Sequence, residues 1–357
     1  MMKDEYNVIG VMSGTSLDGI DLVYAKFSLT KTWQFEIIHA ETVSYTENWY
    51  GILKDLLSIS PYELQSIDDN YTAYLAKTIK AFIADNNIKN IDSVCSHGHT
   101  ALHQPEKNIT YQIGNKKYLS ELLHQTVVCD FRVQDVKFGG QGAPLVPVGD
   151  KFLFSEYDFC LNLGGFANIS TDVDNHRIAY DVCPVNIVLN YYAEKLGKKY
   201  DDQGIIASKG HVNLELLNQL NALHFYKESH PKSLGLEWVN GHVFPLIDSF
   251  DLSIEDALKT CVEHIAIQIA KALNNKKESK VLVTGGGVFN SYLVERIKDS
   301  TKCLIVQPET DIIDFKEALI FAFLGVLKLR DEVNCLSSVT GASEDHSTGE
   351  VFLPKKL

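Results

Sequence analysis

Between residues 8 and 25 the chain reads Val8-Ile9-Gly10-Val11-Met12-Ser13-Gly14-Thr15-Ser16-Leu17-Asp18-Gly19-Ile20-Asp21-Leu22-Val23-Tyr24-Ala25, two apolar runs around a short polar segment. The pattern predicts a strand, a turn and a second strand. Gly14 and Gly19 open backbone angles closed to other residues, so amide hydrogens can converge on one centre. Thr15 and Ser16 add hydroxyl donors, and Asp18 and Asp21 add carboxylates able to hold a magnesium ion through its waters. An oxygen-rich anion together with a divalent cation is the chemistry of a nucleoside triphosphate. Taken alone, the segment reads equally well as a polar hairpin bend.

Two further glycine turns follow predicted strands, at Gly164-Gly165 and at Gly285-Gly286-Gly287. Three such turns argue for a phosphate ligand more strongly than one does. The third leads into a helix starting near Asn290, whose N-terminal dipole favours a phosphate or a polar ligand edge, and its glycines leave room for an aromatic base. Close packing of strand on helix is the alternative there.

Asp181 stands at a predicted strand end, ahead of Val182-Cys183-Pro184-Val185-Asn186. It reads either as a general base acting on an oxygen nucleophile or as the cap of a helix begun by Pro184. The run Ser96-His97-Gly98-His99-Thr100-Ala101-Leu102-His103 spaces two histidines four apart, but Gly98 and Pro105 oppose a helix and no carboxylate nearby completes a metal set. Polar ligand contacts from Thr100 and the backbone are expected instead. In Asp130-Phe131-Arg132 the guanidinium suits an anion, or a structural ion pair with Asp130 or Asp135.

The elements that must position these groups follow from periodicity. Strands are predicted at 6–12, 21–28, 34–44, 91–96, 110–113 and 126–130, with a short helix near 117–124. A long helix opens at Ser60-Pro61-Tyr62-Glu63, a capping box, and carries Leu64, Ile67, Tyr71, Leu75, Ile79 and Phe82 on one face. After a loop from Phe138 to Pro147 the plan restarts. Strands near 157–163, 166–172 and 176–181 precede helices near 184–196, 213–222 and 253–275. A strand at 280–284, a helix from about 290, a strand at 303–307 and a helix at 315–329 complete it. The halves share element order, not residue identity. Two similar lobes place a ligand naturally between them.

The 357 residues suit two domains, and 45% hydrophobic content is that of a globular protein. The 33 Lys and Arg against 46 Asp and Glu give a net charge of -13, which opposes a nucleic-acid or anionic-membrane surface. No apolar run reaches the roughly 18 to 20 residues of a membrane span. The seven cysteines form no C-x-x-C pair, and the start Met-Met-Lys-Asp-Glu has no signal-peptide pattern. Both suit a reducing cytoplasm.

With these residues in place, the chain resembles the anhydro-N-acetylmuramic acid kinase family of the sugar kinase, Hsp70 and actin superfamily. The resemblance rests on Gly10 to Gly19, Ser96-His97-Gly98, Asp130-Phe131-Arg132, Gly139 to Pro147 and Leu161-Asn162-Leu163-Gly164-Gly165-Phe166-Ala167-Asn168. It continues through Pro231-Lys232-Ser233, Thr284 to Gly287 with Asn290, Glu317-Ala318 and Val339-Thr340-Gly341-Ala342-Ser343. It implies an α/β, two-lobed actin-like ATPase (ribonuclease H-like) fold with duplicated mixed-sheet domains and a central cleft. One lobe would be 1–132 with about 340–357, the other 133–339.

The resemblance also implies ATP and Mg²⁺ as cofactors, and a small-molecule sugar as substrate. Oligomeric state stays open, a homodimer being one state that fits. Gly14, Thr15, Ser16, Leu17, Asp18, Gly19, Ile20 and Asp21 would hold the phosphates, with Asp18 taking the magnesium through water. Gly164, Gly165, Gly285, Gly286, Gly287 and Asn290 would hold the rest of the nucleotide. His97, Thr100, Arg132 and Glu317 would line the sugar site. Asp181 would activate water for attack on the anomeric carbon while O6 accepts the γ-phosphoryl group, in cell-wall recycling.

The chain departs from the family's Asp-Thr-Gly-Pro-Gly-Asn at Asp181-Val182-Cys183-Pro184-Val185-Asn186. His99 also stands for a usual Gln, and Leu236 for a usual Arg. These changes bear on sugar specificity more than on phosphoryl transfer. Two rivals stand beside this reading: a kinase of the same fold for another amino sugar or anhydrosugar, and a noncatalytic actin-like nucleotide-binding module.

Overall fold

The computed structural model describes residues 3–14, 16–56, 59–273 and 278–355; Thr15, expected among the phosphate ligands, lies outside the described residues. The chain divides into two compact units, Met1–Leu153 with Phe315–Leu357, and Phe154–Asp314. The division falls at 153/154 and 314/315 rather than at 132/133 and 339/340. Residues 133–153 and 315–339 therefore belong to the first unit, where the helix Thr310–Leu329 packs its later turns on the sheet.

The first unit is built on a seven-stranded sheet. β1 (Glu5–Ser13), β2 (Ile20–Leu29) and β3 (Trp33–Val43) form an antiparallel meander. β4 (Ser93–Gln104) runs parallel to β1, and β5 (Ile109–Ile113) pairs antiparallel with it. β6 (Val127–Cys129) runs parallel to β4, and β12 (Glu350–Phe352) closes the edge. β1 is central and covered on both faces, so it is buried almost throughout. β3 shows the alternation of a half-covered strand.

One face carries the helix Pro61–Asp85, started by the reciprocal Ser60–Glu63 box. It buries Leu75, Ile79 and Phe82 against Ile9, Val11, Leu22 and Val94. The other face meets the helix Thr310–Leu329. A Cβ on Gly10 would collide with the carbonyl oxygen of Ala318, so only glycine at residue 10 lets helix and strand approach this closely.

The second unit holds β7 (Phe159–Leu163), β8 (Phe166–Val173) and β9 (His176–Pro184) as a meander. β10 (Lys280–Thr284) runs parallel to β7, and β11 (Leu304–Val306) parallel to β10. The order β11-β10-β7-β8-β9 repeats β6-β4-β1-β2-β3 strand for strand and in the same senses. The helices Asn186–Glu194 and Ile254–Ala272 supply much of its core, through Val188, Leu189, Leu258, Val262 and Ile265.

Three local expectations need correction. β4 does not end at 96 but runs to Gln104, because a bulge around Gly98 (φ 72°) carries the ladder past the glycine. β9 runs to Pro184, so the following helix starts at Asn186. The helices Glu47–Lys54, Val133–Lys137 and Pro147–Leu153, and β12, carry too little periodicity of their own to be read from sequence.

Candidate active site

In the first unit, Ser13 pairs with Ile20, and Gly14 and residues 16–19 lie in the turn between β1 and β2. Leu17 sits at φ 62°, held by its amide on the Gly14 carbonyl (3.3 Å). Ser16 and Asp18 are exposed, while the Asp21 carboxylate accepts from the Thr42 hydroxyl at 2.6 Å. Below the turn the Ser13 hydroxyl meets Tyr45 and Tyr71 hydroxyls, each at 2.6 Å, and His99 Nδ1 at 2.9 Å. Burial pushes the Tyr71 phenol well up and the His99 imidazole down to about 4, so the cluster stays uncharged and fixes the base of the turn.

Three of the four residues expected at the sugar are brought together, in the same unit. Arg132 Nε donates to His97 Nε2 at 2.8 Å, and Arg132 Nη1 to the Gly142 carbonyl at 2.6 Å. His97 Nδ1 donates to the Gly98 carbonyl at 2.8 Å. The imidazole is thus a neutral Nδ1–H tautomer, and burial beside Arg132 keeps its pKa well below the ordinary range. Glu317 is solvent-accessible by area, yet the protein around it lifts its carboxyl, with Arg132 opposing. Burial in turn lowers the Arg132 guanidinium to about 10, with Glu317 opposing. Thr100 is half-buried on β4, opposite Gln112 of β5.

In the second unit Asp181 is half-buried on β9, and its Oδ2 accepts from the Leu234 amide at 2.8 Å. It caps no helix: the residue before Asn186–Glu194 is Val185, which has no side-chain cap. Desolvation raises the Asp181 carboxyl and the Leu234 bond partly offsets this, the setting of a group that can hold a proton transiently.

Val182, Cys183 and Val185 are buried in the core, with none of them at positive φ. The altered family segment therefore exchanges backbone freedom for apolar packing beneath Asp181.

The glycine turns divide by role. The carbonyls of Gly164 and Gly165 accept the Val185, Asn186 and Ile187 amides, closing the start of the helix Asn186–Glu194. Gly285, at φ 84°, lies so near Asn162 that a Cβ would collide with its side chain, and one on Gly287 would stand 2.7 Å from Leu163 Cβ. Packing accounts for those two. A Cβ on Gly286 would meet, among the described residues, only Asn186 Nδ2 at 3.9 Å, and the residue opens on a cavity of about 380 Å³. Asn186, Asn190, Tyr200, Asp202, Phe289 and Asn290 also line it. Asn290 caps the helix Ser291–Ser300 through the Leu293 amide.

Sequence reasoning missed the roles of Tyr45, Tyr71, Leu234 and Tyr200, which reach these places from remote segments, and of Phe289, next to Asn290. The two aromatics at the cavity are exposed by 58% and 50%, large rings outside the core, which only the structure reveals.

Two mixed sheets of one strand order, each with a glycine turn after its first strand, define an actin-like α/β protein, the class that includes sugar kinases. The chain belongs to the anhydro-N-acetylmuramic acid kinase family, whose profile matches residues 6–354. It is similar to the anhydro-N-acetylmuramic acid kinases of Haemophilus influenzae (32% identity over 98% of each chain) and Pasteurella multocida (34%, covering 98% of this chain and 97% of that one).

Among solved structures, the activator of the 2-hydroxyisocaproyl-CoA dehydratase from Clostridium difficile with bound ADPNP is a distant likeness. It has 14% identity and a TM-score of 0.44, over 91% of this chain and 97% of that one. A ROK family glucokinase from Streptomyces griseus in complex with glucose and AMPPNP is another, with 12% identity and a TM-score of 0.41 over 89% and 98%.

Proposed function

We propose that the chain phosphorylates 1,6-anhydro-N-acetylmuramic acid at O6 with ATP and opens its anhydro ring by hydrolysis, giving N-acetylmuramic acid 6-phosphate in cell-wall recycling. The observation that carries this reading is the family match over residues 6–354, with Asp181 retained. Asp181 takes a proton from water as the water oxygen bonds to the anomeric carbon. The bond from that carbon to O6 breaks, O6 receives the γ-phosphoryl group, and ADP leaves.

The turn Gly14–Asp21 holds the phosphates, and the cavity at Gly286, Phe289 and Asn290 takes the adenosine end. Arg132 meets the sugar's lactyl carboxylate, its guanidinium aimed by His97 and Gly142. Asp18, the exposed carboxylate of the turn, fits Mg²⁺ held through water, and that ion when bound neutralises phosphate charge. We place the reaction in the cytoplasm: it consumes ATP, and all seven cysteines are buried thiols.

The rival with another sugar draws on the altered segment after Asp181. The burial of Val182, Cys183 and Val185 speaks for unchanged specificity, since those side chains turn into the core. The test is ADP release with the anhydromuramic sugar, followed by the mass of the product. A gain of phosphate plus water is expected. Phosphate alone means ordinary kinase action, and no ADP release across a broad sugar panel favours the noncatalytic module.

A further inference from the structure

Asp135, Cys335 and His346 bring a carboxylate, a thiol and an imidazole within 4.8 Å of one another, the one such His, Cys and acid cluster among the described residues. Their exposures are 0%, 0% and 6%. Asp135 lies in the helix Val133–Lys137, and an antiparallel bridge joins Cys335 to His346.

His346 Nδ1 lies 2.9 Å from the Glu344 carbonyl, which can only accept, so Nδ1 carries the proton and Nε2 presents its lone pair. That buried Nε2 has no hydrogen-bond partner among the described residues. It faces Asp135 Oδ1 at 3.6 Å, so two acceptors stand opposite each other. A positive charge is what this gap lacks, and a thiol stands beside it, with Cys335 Sγ 3.0 Å from the same oxygen.

We propose that Asp135, Cys335 and His346 form a site for a thiophilic divalent cation of the zinc class, separate from the magnesium of the nucleotide. Tetrahedral zinc, with bonds of about 2.0 Å to N and O and about 2.3 Å to S, sets N and O about 3.3 Å apart and S and O about 3.5 Å apart. The observed 3.6 and 3.0 Å need shifts of about half an ångström or less. Binding releases the Cys335 thiol proton to solvent as the metal–sulfur bond forms. Two anionic ligands and one neutral imidazole then balance the charge of the ion, which is the condition for burying it.

The groups behind the ligands are already oriented. Glu344 fixes the imidazole, the Gly142 amide holds Asp135 Oδ2 at 2.6 Å, and the Thr340 hydroxyl donates to Oδ1 at 2.7 Å. A fourth position is left to water. The cation would clamp the segment around Cys335 and His346 to the helix Val133–Lys137.

The test is cobalt titration of the tag-free, chelator-treated, nucleotide-free chain. One equivalent is expected to give the near-ultraviolet cobalt–thiolate charge-transfer band and tetrahedral visible bands, and zinc to raise the melting temperature. Cys335→Ser abolishes the charge-transfer band and His346→Gln alters the visible bands, while a Cys303→Ser control leaves both. No band, or a band surviving Cys335→Ser, overturns the proposal. If the variants fail to fold, zinc-edge X-ray absorption on the unaltered chain decides: one sulfur at about 2.3 Å is expected, and a shell of nitrogen and oxygen alone overturns it.

Discussion

Arg132 Nε and His97 Nε2 lie 2.8 Å apart, so the histidine serves as a neutral acceptor that aims the guanidinium. A lysine at this position cannot reach both the imidazole and the Gly142 carbonyl. Arg132→Lys is expected to raise KM for the sugar by about 10- to 100-fold, the weight of a hydrogen-bonded charge, with little change in KM for ATP. Steady-state kinetics with each substrate varied checks this; equal changes in both would remove Arg132 from the sugar site.

Asp181 must be ionised to accept a proton, and desolvation raises its pKa from its ordinary value. Turnover should therefore fall as pH drops through that raised value, with the acid limb of kcat/KM lying above where an exposed aspartate titrates. Asp181→Asn should lose about 10²- to 10⁴-fold in kcat while nucleotide binding, measured by calorimetry, stays intact. Full activity in that variant would exclude Asp181 as the base.

Gly285 and Gly286 are neighbours with opposite tolerances. Gly285→Ala puts a Cβ against Asn162 at a positive φ and should cost about 1–3 kcal/mol or more in urea unfolding. Gly286→Val has space on its open side, so stability should hold while KM for ATP rises through the cavity it narrows. Normal ATP kinetics in Gly286→Val would move the adenosine elsewhere.

His99 is 2% exposed and titrates near 4 in the folded chain, against about 6.5 when unfolded. The unfolded state binds more protons between these values, so this contribution is present above about pH 6.5 and is lost as pH falls toward 4. The shift corresponds to about 3 kcal/mol. Asp130, raised to about 6, acts in the opposite sense, so the comparison is between wild type and His99→Gln rather than with an absolute curve. Glutamine keeps an acceptor for Ser13 and removes the titration. Urea midpoints from pH 7 to 4.5 should fall less steeply in the variant; parallel curves would refute the assignment.

Val185 has 0% exposure where the family pattern carries glycine. Val185→Gly should lose about 1–3 kcal/mol by opening a cavity and freeing the unfolded backbone, with sugar preference unchanged. A changed preference, measured over a panel of amino sugars, would show that this segment reads the substrate after all.

What the sequence determined by itself was whatever near neighbours can enforce. The Ser60–Glu63 box starts its helix within four residues, glycine follows each first strand, and Asn290 caps the helix next to it. Apolar alternation alone laid out both meanders in order. Only the tertiary structure decided which polar groups face one another. Asp135 meets Cys335 across 200 residues, His97 meets Arg132 across 35, and Gly285 is a glycine because Asn162 stands against it. Such pairings are set by which strands lie side by side and how closely helices pack on them, and no local periodicity encodes that. The same holds for Asp181, whose local context suggests a helix cap and whose actual partner, the Leu234 amide, arrives from 53 residues away.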